Sequence, residues 1–165
     1  SVSAMSPSVS GGRSMGAVTS ILLAERLKGD ISGLVLDSPF SSFKEMIFDV
    51  ISSRVRLPGC FIGLLLSMVN NKIKNKIGVD LTTLKPIDSI QNIEVPTFFI
   101  VSADDTISRP DRIKDMFNKS GSLHKEFHLT HGVHNSLRDK TVVLPAICFM
   151  LKSLQLTQHQ APLHH

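Results

Sequence analysis

The chain has 165 residues, of which 42% are apolar and 19% are charged. This composition is that of one globular domain and excludes a disordered, collagen-like or repeat protein. The net charge is only +4, the basic residues form no block, and the chain has no Trp or Tyr to stack on bases, so nucleic-acid binding is not predicted.

The N-terminal part predicts a strand, a helix and a second strand. Residues 1–10 are rich in Ser and carry only a weak strand signal around Val9. Apolar residues recur at helical spacing over 17–27, and Gly29 closes this predicted helix. A short apolar run at 31–36 is typical of a parallel strand buried on both faces. This order of elements indicates an α/β fold.

Residues 41–90 interrupt the alternation, because they show helical patterns at 43–51 and 60–77 and no strand signal. We interpret them as a helical cap inserted into a single domain of residues 1–165. After the cap, the sequence predicts strands at 97–101 and 125–129, helices at 111–117 and 141–156, and a frayed polar tail at 158–165. The predicted fold is therefore a mostly parallel sheet with flanking helices.

The two cysteines, Cys60 and Cys148, lie far apart in the sequence and have no ligand-like spacing to another Cys or a His. This pattern indicates either a reduced intracellular protein or two buried thiols, and it argues against a disulfide scaffold. No apolar run reaches the roughly 18 residues of a membrane span. Because the N-terminus also lacks a secretory signal, we expect a cytoplasmic protein.

A candidate nucleophile lies in the sequence Gly12-Arg13-Ser14-Met15-Gly16, between the strand signal at Val9 and the first predicted helix. This is the context of a nucleophile elbow, a tight turn that exposes a serine and needs small residues two positions before and after it. The helix N-terminus offers N–H groups, among them that of Met15, to a developing oxyanion. A Gly-rich turn without chemistry is the alternative, so a carboxylate and a base must follow in the order Ser, acid, His.

Two adjacent carboxylates, Asp104 and Asp105, follow the predicted strand at 97–101. Open α/β sheets place their sites at the C-terminal ends of strands. Either residue also suits a helix cap or a turn. We favour Asp105 as the catalytic acid and Asp104 as the turn residue.

Four histidines precede the last predicted helix: His124, His128, His131 and His134. The spacing of the last three suggests a metal site, but Gly132 and the strand at 125–129 argue against a helix that presents them on one face, so no metal is predicted. His134 lies farthest out in the loop and is the preferred general base. His131 is the second choice, and the other two are interpreted as surface or loop histidines.

Taken together, these residues resemble the α/β-hydrolases, and most the serine-aminopeptidase-like branch that also holds esterases and acyl-protein thioesterases. The resemblance covers nearly the whole chain, and it is carried by Gly12 to Ala17, Leu34 to Phe40, Lys85 to Asp88, Ile93 to Pro96, Asp105, and Gly132 to Asn135. It implies a serine hydrolase that cleaves an ester, thioester or small amide through an acyl-enzyme. Ser14 would be the nucleophile, Asp105 the acid and His134 the base, with no cofactor.

The chain also departs from that family's pattern. Ser102 stands where the acid loop usually has Gly, Ala17 stands where prolyl-oligopeptidase-like peptidases carry a further Gly, and residues 8–11 are poor in apolar side chains. Only 13 residues precede Ser14, whereas a β-α-β unit takes about 30. We therefore expect the C-terminal part of a hydrolase or a truncated relative, without the loop that supplies the second oxyanion donor. The alternative is a non-catalytic remnant that acts as a binding or scaffold module.

In this family the segment that matches residues 41–90 usually covers the active site, so we expect it to shape a pocket for a small-molecule or acyl substrate. Its helical part contains Phe61, Ile62, Leu64, Leu65, Leu66, Met68 and Val69, followed by Lys72, Lys74 and Lys76. This pattern favours an apolar lid that ends in a solvated turn. A helix lying on an anionic membrane surface, which would make the protein membrane-associated, is the alternative. The sequence predicts no oligomeric state.

Overall fold

A four-stranded parallel sheet organises the chain. The computed structural model describes residues 8–55, 58–78 and 80–160. The strands pair in chain order and every pair is parallel, and they are β1 (Val9–Arg13), β2 (Gly33–Asp37), β3 (Thr97–Ser102) and β4 (Lys125–Thr130). The predicted α/β fold with a parallel sheet is confirmed.

Helices connect these strands, as the periodicity predicts. In the described ranges they are α1 (Met15–Arg26), α2 (Phe43–Arg54), α3 (Gly59–Ile77), α4 (Pro86–Ser89), α5 (Pro110–Lys119) and α6 (Lys140–Gln160), with 3-10 turns at Leu81–Thr83 and Ile90–Asn92. The observed bounds differ from the predicted ones by a few residues at most sites. The prediction of a frayed tail is wrong for residues 158–160, which continue α6, because no Gly or Pro ends this helix before Pro162. Residues 1–7 and 161–165 lie outside the described residues.

Alternating side chains on the strands divide the core into two faces. Leu34 and Leu36 of β2 and Phe99 and Val101 of β3 pack with α1 and α5 on one face. The intervening residues of the same strands pack with α6 on the other face, and they are Val35, Phe98 and Ile100. Strands covered on both sides carry continuous apolar runs, which explains why the runs at 31–36 and 97–101 do not alternate in the sequence.

In residues 41–90, the described part holds helices and 3-10 turns only. Ile62, Leu66 and Asn70 form the buried stripe of α3, while Leu64 and Met68 are about 60% exposed. An apolar cavity of about 260 Å³ lies between α2 and α3. Its lining contains none of the candidate catalytic residues, so the expected role of this segment as a cap over the site stays a prediction.

Both cysteines are free and exposed, on α3 and α6 respectively. Cys60 precedes the buried Ile62 by two residues, and Cys148 follows the buried Ala146 by two. Two residues correspond to about half a helical turn, so each thiol points away from the packed face of its helix. Of the two alternatives that the sequence left open, two buried thiols is therefore wrong. Among the helices that the structure describes, none is long and apolar enough to cross a membrane.

Candidate active site

Ser14 is the single residue between β1 and α1, and its backbone is strained. Its φ of 53° and ψ of −116° lie outside the regions that L-residues ordinarily adopt. A conformation of this kind costs about 1–3 kcal/mol and persists only where the surroundings enforce it. Two hydrogen bonds hold the turn: the Ser14 N–H donates to Asp37 O at 2.8 Å, and the Ser14 carbonyl accepts from Val18 N at 3.1 Å.

The two glycines of the elbow are not equivalent. A Cβ placed on Gly12 would lie 2.7 Å from the backbone carbon of Gly16, which is closer than real Cβ contacts come. A Cβ placed on Gly16 would meet no heavy atom within 4 Å in the part of the chain that the structure describes. The predicted demand for a small residue is therefore seen at position 12 and not at position 16.

The N-terminus of α1 lies directly after Ser14. The first N–H groups of a helix have no partner within it, and in α1 the first bond back to the turn comes from Val18. The Met15 N–H is therefore free of helical pairing and lies next to the candidate nucleophile, at the positive end of the helix dipole. Its role as an oxyanion donor stays a prediction.

Asp105 and His134 form a buried pair. Asp105 lies three residues beyond the end of β3 and is 3% exposed. One carboxylate oxygen accepts the backbone N–H groups of Ile107 and Ser108, at 2.9 and 2.8 Å. The other oxygen lies 2.7 Å from His134 Nδ1. The carboxylate is thus fixed by the backbone on one side and is directed at an imidazole on the other.

The neighbouring candidates lie elsewhere. Asp104 is exposed, and its backbone N–H donates to Gly132 O at 3.2 Å, so it fits the turn role. His131 and His124 are exposed, and His128 stacks on Phe98 with ring centroids 6.0 Å apart. Within the described ranges, no group of three His, Cys, Asp or Glu residues is placed to hold a metal ion.

The contact between the hydroxyl and the imidazole is not formed in the structure. Ser14 follows β1 and His134 follows β4, and these are the two outer strands of the four. No hydrogen bond joins Ser14 Oγ to His134 among the described residues. The structure therefore brings His134 and Asp105 together, while the approach of His134 to Ser14 stays a prediction. Catalytic hydrogen bonds are often long in unliganded enzymes.

The fold has parallels among solved structures. Acetyl xylan esterase 1 from Thermoanaerobacterium sp. JW/SL YS485 is similar with a TM-score of 0.62 and 18% identity, over 88% of this chain and 45% of that chain. The Pyrococcus furiosus esterase Pf2001 is similar with a TM-score of 0.61 and 18% identity, over 89% of this chain and 53% of that chain. The acetyl xylan esterase from Paenibacillus sp. R4 is similar with a TM-score of 0.62 and 16% identity, over 87% of this chain and 44% of that chain.

The described residues form a partial α/β-hydrolase fold. The chain spans about half the length of the esterases it matches. The sequence itself matches no protein-family model and no curated protein. The predicted serine-aminopeptidase-like branch therefore stays a prediction.

Sequence reasoning assigns no role to one residue that lies next to the site. In the sequence, Asp37 ends a strand and belongs to the stretch Leu34 to Phe40 that carries the family resemblance, but nothing in that stretch indicates what its side chain does. In the structure its carboxylate accepts hydrogen bonds from Arg13 Nε at 2.8 Å and from Arg138 Nη2 at 2.6 Å. The available signal is a carboxylate at the C-terminal end of a buried strand, which is the same signal that points to Asp105. Its partner Arg138 is 101 residues away, so no local pattern identifies it.

The loop that carries His134 is fixed at its far end by a helix cap. Asp139 Oδ1 accepts from the Thr141 N–H at 2.9 Å at the start of α6. The Thr141 hydroxyl bonds to the same oxygen, and these bonds hold the pKa of Asp139 below its ordinary value. Asp139 is therefore charged at neutral pH, where it complements the positive end of the α6 dipole.

Proposed function

We propose that this chain supplies the nucleophile, the base and the orienting acid of a serine hydrolase that acts on an ester, a thioester or a small amide. The observation that carries the proposal is the buried contact of 2.7 Å between His134 Nδ1 and Asp105 Oδ2. It lies at the carboxyl edge of the sheet that also presents Ser14 on a strained turn with a φ of 53°. Strained residues at such edges are a property of functional sites.

The proposed reaction has two halves. Ser14 Oγ attacks the acyl carbonyl carbon while His134 Nε2 takes its proton, and the resulting imidazolium protonates the leaving alcohol, thiol or amine as the acyl bond breaks. Water then attacks the acyl-serine, His134 again takes a proton and returns it to Ser14 Oγ, and the carboxylic acid departs. Each tetrahedral intermediate carries an oxyanion, and in this proposal the Met15 N–H donates a hydrogen bond to it.

Asp105 has a defined part in this scheme. Because Oδ2 faces Nδ1, the carboxylate favours the tautomer with a proton on Nδ1, which leaves the lone pair of Nε2 free to act as base. The same negative charge stabilises the imidazolium once it forms. The two backbone N–H bonds to Oδ1 keep the carboxylate from rotating away.

The ester is the substrate class with the most support. The three structural neighbours named above are esterases. The amide chemistry of a peptidase rests on the sequence resemblance alone. The apolar cavity between α2 and α3 suits an acyl chain by its lining, but it touches none of the candidate catalytic residues.

Labelling with a fluorophosphonate probe tests the nucleophile in the intact protein. We expect covalent labelling that Ser14→Ala abolishes. Ser53→Ala is the matched control, because Ser53 is an exposed serine on α2 whose hydroxyl donates to Val50 O of its own helix. Labelling that survives Ser14→Ala would remove Ser14 as the nucleophile.

A binding or scaffold module is the second candidate function. It is favoured by the missing hydrogen bond between Ser14 Oγ and His134, and by the position of β1 as an outer strand in the described residues. Turnover of short-chain nitrophenyl esters by the intact protein discriminates between the two functions. Turnover that depends on Ser14 supports the enzyme, and its absence in a folded protein supports the module.

The exposed face of α3 carries a further proposal about substrate access. Phe61, Leu64 and Met68 are more than half exposed and precede Lys72 and Lys76 on the same face. We favour a lid, for which vesicles of anionic lipid would not bind better than neutral ones. Binding to anionic vesicles that is weakened by neutralising Lys72, Lys74 and Lys76 together would instead support the membrane-surface alternative.

A further inference from the structure

We propose that Asp37 is a positioning residue, whose ion pair with Arg138 holds the loop of His134 beside the elbow of Ser14. The proposal rests on the proposed hydrolase function for its catalytic meaning. The contacts that Asp37 makes with Arg138, Arg13 and the Ser14 backbone involve neither Ser14 Oγ nor the imidazole of His134. Asp37 and Arg138 therefore act through His134 and Ser14 and are not themselves catalytic.

The first half of the connection runs from Asp37 to the elbow. Asp37 ends β2, and its register partner on β1 is Arg13. The Asp37 carbonyl accepts the Ser14 N–H at 2.8 Å, and its Oδ2 accepts Arg13 Nε at 2.8 Å. One residue thus binds both the backbone of the candidate nucleophile and the side chain directly before it. A shift of Asp37 would move the elbow with it.

The second half runs from Asp37 to the histidine loop. Arg138 lies four residues after His134 and presents two donors of its planar guanidinium to the carboxylate. Nη2 lies 2.6 Å from Oδ1, and Nε lies 3.1 Å from Oδ2. Nη2 also donates to Ser38 Oγ at 3.2 Å. A forked contact of this kind fixes orientation as well as distance.

Strand order explains why the loop needs this connection. The loop leaves β4, which lies two strands away from β2 in the sheet. Adjacent strands are about 4.8 Å apart, so the loop must cross about 10 Å to reach the end of β2. His134 is bound at the end of β3 through Asp105, and Arg138 is bound at the end of β2 through Asp37. The Arg138 contact therefore holds the histidine loop against the end of β2, in addition to the Nδ1 contact that holds the imidazole at the end of β3.

The burial of Asp37 and Arg138 indicates that their ion pair orients the histidine loop more than it stabilises the fold. The Arg138 side chain is 6% exposed and that of Asp37 is 12% exposed. Among the described residues, Arg138 Nη1 is buried and has no hydrogen-bond partner. Because desolvating such a pair offsets most of its attraction, buried ion pairs are often no more stabilising than apolar residues of the same size. What the pair does provide is one orientation of the loop.

The fold contains a matched control for this pair. Arg112 of α5 binds Asp49 of α2 through the same two atoms, Nε at 2.7 Å and Nη2 at 3.2 Å. Neither residue contacts the loop of His134 or the elbow through any hydrogen bond that the structure describes. Arg138→Lys and Arg112→Lys therefore each remove a two-donor contact to an aspartate and keep the positive charge. The first variant does so at the candidate site, and the second does so away from it.

The first experiment measures the rate constant of fluorophosphonate labelling in the intact protein, below the melting temperature of both variants. We expect Arg138→Lys to lower it about 10²-fold, because a misplaced general base costs that much, while Arg112→Lys leaves it unchanged. A purely structural role predicts the opposite pattern, in which both variants melt earlier but label at the wild-type rate while folded. That pattern would overturn the proposal.

A second measurement is independent of catalysis. In the Ser14→Ala protein, we expect the proton between His134 Nδ1 and Asp105 Oδ2, which lie 2.7 Å apart, to give a far-downfield NMR resonance. We expect Arg138→Lys to broaden it through exchange with water and Arg112→Lys to leave it sharp. A sharp resonance in both variants would overturn the positioning role. If the wild-type protein does not label at all, the hydrolase proposal fails, and this resonance still decides whether Arg138 positions His134.

Discussion

The carboxyl edge of the sheet and the helical segment 41–90 hold their side chains in different ways. At the sheet edge, Asp37, Asp105 and His134 are each at most 9% exposed when the whole residue is counted, and each is paired with a partner from another loop or strand. In the helical segment, none of the described residues of α2 is buried, and α3 is buried through a stripe one residue wide.

Polar contacts hold the helices of that segment to one another and to α5. Asp80 accepts hydrogen bonds from Asn70 and Lys74 of α3, both at 3.0 Å. Arg112 of α5 binds Glu45 and Asp49 of α2. Elements with few buried apolar contacts unfold locally at a lower free-energy cost than core strands do. The sheet edge is therefore the more rigid of the two regions, and the helical segment is the looser one.

The largest expected effect is at the rigid edge. Asp105→Asn keeps an acceptor for Ile107 and Ser108 but presents an amide N–H₂ to His134, which favours the tautomer with no proton on Nδ1. We expect kcat for ester hydrolysis to fall about 10⁴-fold. Asp104→Asn is the control, since Asp104 is exposed and should leave kcat unchanged. Equal losses in the two variants would contradict the assignment of Asp105.

The next effect separates the two elbow glycines. Gly12→Ala places a Cβ 2.7 Å from the Gly16 backbone, so the turn must shift, and we expect labelling of Ser14 to slow about 10²-fold. Gly16→Ala meets open space in α1, where Ala is favoured over Gly by up to about 1 kcal/mol. It should therefore label normally and melt no earlier than the wild type. Slow labelling of Ser14 in the Gly16→Ala variant would show that position 16 also requires a small residue.

In the helical segment the expected effects concern stability. Ile62→Ala removes a side chain that is 1% exposed, and we expect the free energy of unfolding to fall by about 2–5 kcal/mol in a denaturant titration. Leu64→Ala on the same helix removes one that is 60% exposed and should cost at most about 0.5 kcal/mol. A large cost for Leu64→Ala would mean that the exposed face of α3 is covered in the intact protein.

The smallest effect depends on pH. Hydrogen bonds from Thr82, Lys74 and Asn70 hold the pKa of Asp80 well below its ordinary value of 3.8. A lowered pKa in the folded state stabilises the protein fully above pH 3.8, and that contribution is lost as the pH falls below it.

We therefore expect Asp80→Asn to lower the melting temperature at pH 6, with the gap to the wild type closing on acidification below pH 3.8. Asp115→Asn, which removes an exposed carboxylate of α5, controls for the loss of one negative charge. A gap that does not change with pH would contradict the role of the ionised Asp80.

The sequence by itself determined the elements and their order. Periodicity and turn residues predict the strands and the helices other than α4 within a few residues, because these signals depend on neighbours in the chain. Runs of consecutive apolar residues, such as 98–101 in β3, also predict the parallel sheet, since strands covered on both faces need them. The elbow at Ser14 and the carboxylates after β3 are local patterns too, so candidates for the site could be named.

Only the tertiary structure decided which candidates meet. Asp105 reaches His134 across 29 residues, and Asp37 reaches Arg138 across 101. Whether such side chains touch depends on strand order and on how far each loop crosses the sheet, which no local spacing records. The exposure of Cys60 and Cys148 and the asymmetry between Gly12 and Gly16 have the same origin. Each depends on which atoms the folded chain brings opposite a position, and those atoms are fixed only when the helices pack.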